Sequence, residues 1–439
     1  MTHNNITSVL KDGLCTGCGT CLAVCSSNAI DLILNENQGI YVPSIVSEKC
    51  INCGICLSIC PGKGMDFSRS NLETSDNMHS SQLIGHYLKI YTGYSIDDEI
   101  RYNSSSGGIA TQILLSAFNK GIIDHALVTK MNEKKPLEPT SFIAKTATEI
   151  IEASKSKYCP VPLNTCLKKI LKEEGKYAVV GLPCHLHGIR NLEERNIVLR
   201  ERIILHIGLF CHHCVSFQFT KFLMDKLNIN KEEIKEINYR GKGWPGMMTI
   251  KKLDGHEIII PMSHYWSIPA TYLFTPRRCL FCSDATAEFA DISLGDAWLK
   301  DFKSDKLGTS IIITRKDFSD QLIENMKALN EIEIHQIGEN KIIESQYPII
   351  YFKKKSLTAR KSIMHIIKGK TPNDISELIP ADSLDYLILI YILTHCYISN
   401  NKIVLNIFKW LPWTFLLYYK LPYYYLTKNR LSDNYQTKY

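Results

Sequence analysis

Alternation and helical spacing divide the middle of the chain into strands and helices. Short runs dense in β-branched residues, HALVTK from His125, KYAVVGL from Lys176, IILHIGLFC from Ile203, HEIIIPM from His256 and TSIIITR from Thr309, predict strands. Between them, GGIATQILLSAFNKG from Gly107 and TATEIIEASKSKY from Thr146 space their apolar residues as helices do. Strands alternating with helices predict an α/β core whose sheet is at least partly parallel. Ahead of this core, residues 66–86 are polar and rich in Ser and Asn, the composition of a linker or surface excursion. Behind it the chain turns apolar, with LDYLILIYILTHCYI from Leu384 and then lysines set among Trp, Tyr and Leu. Neither run reaches the roughly 20 uninterrupted apolar residues of a spanning helix, and Pro412 and Pro422 interrupt the second. Trp410 and Trp413 with Lys402, Lys409, Lys420 and Lys428 suit a membrane-surface anchor, and a helical cap or oligomer contact suits the same composition.

The 439 residues, 45% hydrophobic and 22% charged, allow two or three globular domains. The net charge of +7 is spread along the chain without basic blocks interleaved with aromatics, so nucleic acid is not an expected partner; an acidic redox partner is compatible with it. Sixteen cysteines change the picture. The opening MTHNNITSVLKDG has no basic stretch followed by an apolar one, the form of a secretion signal, so reduced metal-holding thiols in the cytoplasm are expected rather than a disulfide framework.

Cys15, Cys18, Cys21 and Cys25 have the spacing C-x2-C-x2-C-x3-C, and Cys50, Cys53, Cys56 and Cys60 repeat it with Pro61 behind. This is the bacterial two-cluster ferredoxin pattern, in which the fourth cysteine of each run reaches across to the other cluster. Cys15, Cys18, Cys21 and Cys60 are therefore expected on one 4Fe-4S cluster and Cys50, Cys53, Cys56 and Cys25 on the second. Gly17, Gly19, Gly54 and Gly64 are expected to let the backbone turn closely around them. Ser26 stands where the second run has Pro61, which leaves the ligand count intact.

Farther on, Cys211 and Cys214 in GLFCHHC and Cys279 and Cys282 in RRCLFCSD form a pair of CxxC pairs, an arrangement also used for zinc. The 64 residues between the pairs exceed the spacing of a compact zinc ribbon. Cys184 lies in GLPCHLHG just after a predicted strand, while Cys159, Cys166 and Cys396 read as buried thiols. Ser104, Ser105 and Ser106 are N-cap-type residues ahead of Gly107 and Gly108, a junction that suits either an anion at a helix start or an ordinary loop-to-helix turn.

Six segments in order, SSGGIAT, SKSKY, GLPCHLHGIR, IGLFC, RGKGWPG and CLFCSDATAEFADISLGD, resemble the coenzyme F-420 hydrogenase/dehydrogenase beta-subunit family from about Tyr87 to Gln346. The resemblance implies FAD and a third 4Fe-4S cluster held by Cys184, Cys211, Cys279 and Cys282, with Cys214 spare. It makes Ser106, Gly107, Gly108 and Thr111 an expected FAD contact, brings Lys157 and Tyr158 toward the flavin, and places His185, His187 and Asp296 as candidate catalytic groups. Lys155 and Lys157 would offset pyrophosphate charge. The expected protein is an α+β and α/β multidomain chain: a ferredoxin-like module over 1–68, a linker over 69–86, a mixed α/β flavin-binding core over 87–346, a connecting region over 347–382 and an apolar aromatic helical tail over 383–439.

Flavin exchanges electrons singly or in pairs, so it joins clusters to two-electron chemistry. The implied activity is an iron-sulfur flavoprotein oxidoreductase acting on a small or lipid-linked organic substrate or on coenzyme F-420, with ferredoxin as electron partner. An electron-transfer subunit within a larger hydrogenase- or dehydrogenase-type complex is the alternative, and a zinc-stabilised binding protein with a ferredoxin domain is a third reading. The expected location is cytoplasmic, with the tail at the inner face of the membrane if it is an anchor.

Overall fold

A computed structural model describes residues 4–68 and 77–427. Residues 69–76 of the linker, together with Lys428 and the rest of the expected tail to 439, lie outside the described residues.

The cysteine-rich module is two short helices, Thr20–Val24 and Ile55–Ser58, with the antiparallel hairpin β1 (Ile30–Asn35) and β2 (Ile40–Ile45) between them. Gly19 and Gly54 are the N-caps of those helices at φ +86° and +77°. This left-handed conformation is open to glycine without strain, and it turns each ligand run into its helix. Gly64 does not turn around a cluster: it packs against the backbone of Asn373, and a Cβ there would stand 2.3 Å from the Asn373 carbonyl.

The second half of the expected linker is ordered. β3 (His79–Ser81) and β4 (Gly85–Tyr87) pair antiparallel across Leu83 and Ile84, which are buried. Two adjacent apolar residues sufficed to anchor the segment, and the Arg315 guanidinium donates to the Ile84 carbonyl at 3.1 Å.

The core sheet contains β5 (Lys89–Ser95), β6 (His125–Met131), β7 (Pro139–Ala144), β8 (Tyr177–Gly181) and β9 (Ile203–Leu209). A separate antiparallel three-stranded sheet follows, β10 (Ile234–Asn238), β11 (Met247–Lys252) and β12 (Glu257–Pro261). The chain then returns through β13 (Ile292–Asp296), β14 (Ser310–Thr314) and β15 (Ile332–Gln336) to an eight-stranded sheet ordered β15-β5-β14-β13-β9-β8-β6-β7. Its centre, β13-β9-β8-β6, is parallel, and the strands on either side are antiparallel. Ile207, Ile292, Ala178 and Ile312 are fully buried, as expected of strands covered on both faces. The C-terminal ends of β8, β9 and β13 therefore come together where ligands commonly bind in α/β sheets.

The two helices flanking β6 differ from expectation in extent. Ile109–Asn119 runs as the apolar spacing predicts, but its N-cap is Gly108 at φ +75°, not a serine. Ser104 instead ends the preceding helix Asp98–Asn103. The helix begun at Thr146 stops at Glu152, because the Lys157 ammonium folds back onto the carbonyls of Ala153, Ser154 and Lys155.

Residues 347–382 are more than a connector. The helix Glu339–Ile350 continues into a wide turn at Tyr351–Lys355 and then the helix Leu357–Ile366, and Tyr351, Phe352, Lys353 and Arg360 are all buried. The tail folds as helices Ser383–Asn400, Lys402–Trp410, Trp413–Tyr419 and Leu421–Thr427. No single described helix is long and apolar enough to cross a membrane; the first two pass only as a pair bent by 96°. One apolar cluster takes in Ile6, Val9, Cys21 and Cys56 of the module, Ile311 and Ile313 of the sheet, and Ile388, Ile392 and Tyr423 of the tail. The module and the described part of the tail thus pack onto one core.

Candidate iron-sulfur and cofactor sites

All sixteen cysteines are free thiols. In the module, Cys15, Cys18, Cys21 and Cys60 line one small enclosed space with Pro61. Burial pushes the Cys15 thiol up to about 12 and raises Cys21 and Cys60 as well; Cys21 lies within electrostatic range of Cys18, Cys60, Cys15 and Cys56. Cys56, also raised by burial, is in range of Cys53 and Cys25. Cys60, the fourth cysteine of the second run, thus lines the same space as the first three of the other run. Backbone N–H groups of Gly17 and Ala29 donate to the sulfurs of Cys15 and Cys25 at 3.4 and 3.3 Å, and the Asn5 amide to Cys50 at 3.7 Å. Such donors stabilise thiolate, whereas burial opposes it; a bound cation reverses that cost. Among the described residues no three His, Cys, Asp or Glu side chains close on a single ion.

A second group of thiols forms at the ends of the parallel strands. Cys184 is the second residue of the helix Pro183–Glu193 after β8, Cys211 follows β9, Cys279 lies in the turn Arg277–Phe281 and Cys282 caps its end. Cys184, raised by burial, is within electrostatic range of Cys211, Cys279 and Cys282, and also of Cys18 in the module. Cys214 is not remote from this group: burial raises it too, and Cys279 and Cys211 are in range. Its backbone N–H serves the Cys279 sulfur, while its own thiol turns to the Val215 carbonyl at 3.3 Å.

The residue that the charge pattern concealed here is Lys353. Its ammonium, 1% exposed, stands 3.1 Å from the Cys282 sulfur and 2.7 Å from the Asp284 carbonyl. The rest of the run is engaged as well: Lys354 pairs with Glu288 at 2.6 Å and Lys355 donates to the Pro380 carbonyl at 2.6 Å. An aromatic pair, Tyr351–Phe352, directly ahead of the run was the available signal.

Beside the second thiol group lies a cavity of about 1490 Å³. Ser106, Gly108, Thr111, Lys157, Tyr158, His185 and Asp296 line it, as do Cys211, His213 and Cys214. The first turn of the helix Ile109–Asn119 faces it, bringing N–H groups that have no partner within the helix. His213 is 7% exposed, and both its ring nitrogens lack a partner among the described residues; burial lowers it to about 3, so it is neutral. A buried imidazole without partners is costly unless something in the cavity supplies them. The volume exceeds that of ordinary small-molecule pockets, about 300–1,000 Å³, and suits a dinucleotide with a second molecule.

Several expected site residues have other engagements. Gly107 faces the sheet, where a Cβ would lie 2.6 Å from the Gly93 carbonyl, and its N–H donates to Ser310 Oγ at 3.0 Å. His185 accepts from the Leu182 N–H at Nδ1 (3.1 Å) and meets the Val161 carbonyl at Nε2 (2.9 Å), so both nitrogens hold backbone; burial lowers it to about 4. His187 is buried against Phe289, with ring centroids 4.8 Å apart, and is not among the cavity-lining residues. Asp296 pairs with Arg240 at 2.7 Å. Burial opposes the charge on Arg240, but Asp296 outweighs it and the guanidinium is held above its ordinary range. Arg240 also reaches the Tyr158 hydroxyl at 3.3 Å and the Ser105 carbonyl, tying RGKGWPG to the serine loop. Burial lowers Lys157 to about 7. His212 meets the Tyr272 hydroxyl at 3.0 Å, and Tyr272 in turn bonds Tyr423 of the tail.

Comparison with known proteins matches residues 90–168 to the N-terminal and 174–340 to the C-terminal model of the coenzyme F420 hydrogenase/dehydrogenase beta subunit, and residues 14–63 to a 4Fe-4S dicluster domain. The coenzyme F420 hydrogenase subunit beta of Methanothermobacter thermautotrophicus is 28% identical over 270 residues, 59% of this chain and 88% of that protein. The protein of the same name in Methanosarcina barkeri is 26% identical over 280 residues, 60% and 91% of the two chains. A chain in the structure of the F420-reducing [NiFe] hydrogenase complex from Methanosarcina barkeri shares the fold, with a TM-score of 0.53 at 22% identity, covering 67% of this chain and 99% of that one.

Proposed function

This chain belongs to the coenzyme F420 hydrogenase/dehydrogenase beta-subunit family and carries a 4Fe-4S dicluster domain, and from that premise we propose that it is an iron-sulfur flavoprotein oxidoreductase. It carries electrons between an external one-electron partner such as ferredoxin and an organic two-electron substrate, with coenzyme F-420 as a candidate substrate. The observation that carries this reading is the position of the second thiol group: Asn164 ties the Cys184 turn to the module, its backbone N–H donating to the Cys18 carbonyl and its side-chain amide to the His185 carbonyl, each at 2.9 Å, and Cys211 lines the large cavity on the other side.

Cys15, Cys18, Cys21 and Cys60 would hold one cluster, Cys50, Cys53, Cys56 and Cys25 the next, and Cys184, Cys211, Cys279 and Cys282 a third. FAD, held near Ser106, Gly108, Thr111, Lys157 and Tyr158, would supply the exchange between single electrons and hydride. His213, neutral and unpartnered, donates or accepts a hydrogen bond in the cavity. Lys157 has its ammonium turned onto three carbonyls, so it orders the loop at the cavity wall. Arg240, Asp296 and Tyr158 form a fixed polar edge that orients a bound ring. His185 positions the Cys184 turn rather than moving protons.

The relatives' names describe subunits, and this favours a second reading in which a further polypeptide completes the activity. The chain purified without oxygen separates the two. Steady turnover of an acceptor such as coenzyme F-420 with reduced ferredoxin alone supports a self-contained enzyme. A stoichiometric second polypeptide required for any turnover supports the subunit reading. Cluster reduction that never passes to an acceptor under either condition overturns both.

A further inference from the structure

We infer that the C-terminal helices form a docking face for an anionic lipid bilayer. In Lys402–Trp410, the residues Val404, Leu405 and Phe408 pack onto the protein, while Ile403, Ile407 and Trp410 point away, 75%, 58% and 77% exposed. Spaced at i, i+4 and i+7, these three occupy one helical face. The preceding helix Ser383–Asn400 repeats the arrangement: Ile388 and Ile392 are in the core, and Leu387, Ile390 and Tyr397 are exposed. A helix that buries one apolar side in protein cannot span a bilayer alone, but it can lie on one.

Charge selects the occupant. From Tyr386 to Thr427 the chain holds no Asp or Glu; of its three lysines, Lys402 is exposed at the start of the second helix, Lys409 lies over the Trp410 ring at 5.6 Å, and Lys420 lines the cavity. Aliphatic residues beside Trp, Tyr and Lys, with no acid, match the boundary between acyl chains and anionic headgroups. A protein interface of the same apolar character would ordinarily be rimmed by charges of both signs. The final helix Leu421–Thr427 joins this face to the cavity: Tyr425 is exposed, and Leu421, Tyr423 and Tyr424 line the cavity wall.

The test is co-sedimentation of the full chain, purified without oxygen, with phosphatidylcholine vesicles containing or lacking phosphatidylglycerol. Binding is expected to the anionic vesicles, weaker at high salt, and to fall at least tenfold in the Ile403→Glu/Ile407→Glu double variant. Both positions are exposed, so the variant should keep its fold; Leu253→Glu, at an exposed residue in the β11–β12 connection, should bind as the parent does. Absence of binding at low salt overturns the inference, as does equal binding to neutral vesicles or binding unmoved by the double variant. A homodimer that the double variant dissociates, with no vesicle binding by the parent, gives the face to a second copy and also overturns it.

Discussion

Replacing Lys353 with methionine keeps the length and most of the packing of the side chain while removing one buried positive charge beside Cys282, a proposed ligand of the third cluster. The ammonium is 3.1 Å from the Cys282 sulfur. An electron added to a cluster spreads beyond that sulfur, so a separation of about 6 Å with an effective dielectric of about 20 gives an attraction of about 2.8 kcal/mol. For a one-electron couple this corresponds to about 120 mV. The positive charge favours the reduced cluster, so Lys353→Met should lower the third cluster's midpoint potential by about 100 mV. Potentiometric titration followed by electron paramagnetic resonance reads the shift, and the signal lost in Cys184→Ser identifies the cluster. Lys353→Arg, which keeps the charge, should stay near the parent. Iron content equal to the parent's with a midpoint unmoved or raised would refute the reasoning.

Cys214→Ser should retain the third cluster, because the backbone N–H of residue 214 serves Cys279 while its thiol faces Val215; Cys184→Ser should lose about four irons per chain, and iron analysis showing the reverse would exchange their roles. His213→Leu should fold as the parent does yet lower flavin retention about tenfold, measured by released flavin after gel filtration, since it removes the unpartnered imidazole from the cavity. Asp291→Asn should destabilise the fold by about 3–5 kcal/mol, read by thermal unfolding, because the buried Asp291 meets Arg190 at 2.7 Å and the buried His206 at 3.0 Å. Burial opposes the Asp291 charge, but Arg190 and His206 outweigh it and hold its pKa far below the usual carboxylate value. Its contribution is thus present above about pH 4 and is lost as pH falls through the lowered folded value. The parent should therefore lose stability toward acid more steeply than the variant.

The cysteine runs were legible because cluster ligands need fixed chain spacing, and burial and sulfur contacts follow that spacing closely. The central strands β6, β8 and β9 were equally legible, since strands covered on both faces must be continuously apolar. β10 and β11 escaped notice because KEINYR and GMMTIKK mix charge with short apolar stretches, and their pairing depends on β12 beside them. The roles of the lysine run 353–355 were not legible for a different reason. Period and composition report a side chain's type but not its partner, and Cys282, Glu288 and Pro380 lie far away in sequence. Arg240 was hidden in the same way, its carboxylate partner being 56 residues on. The serine loop reads as a junction, which it is, but composition points to the wrong cap, because the cap position is left-handed at φ +75°, a conformation that glycine adopts without strain and serine rarely does.

The central claim is that four thiols from three separate turns hold a third cluster between the dicluster module and a flavin-filled cavity. Metal and flavin analysis of one oxygen-free preparation tests it most directly. About twelve irons and one flavin per chain are expected. About eight irons with one zinc and no flavin would contradict it.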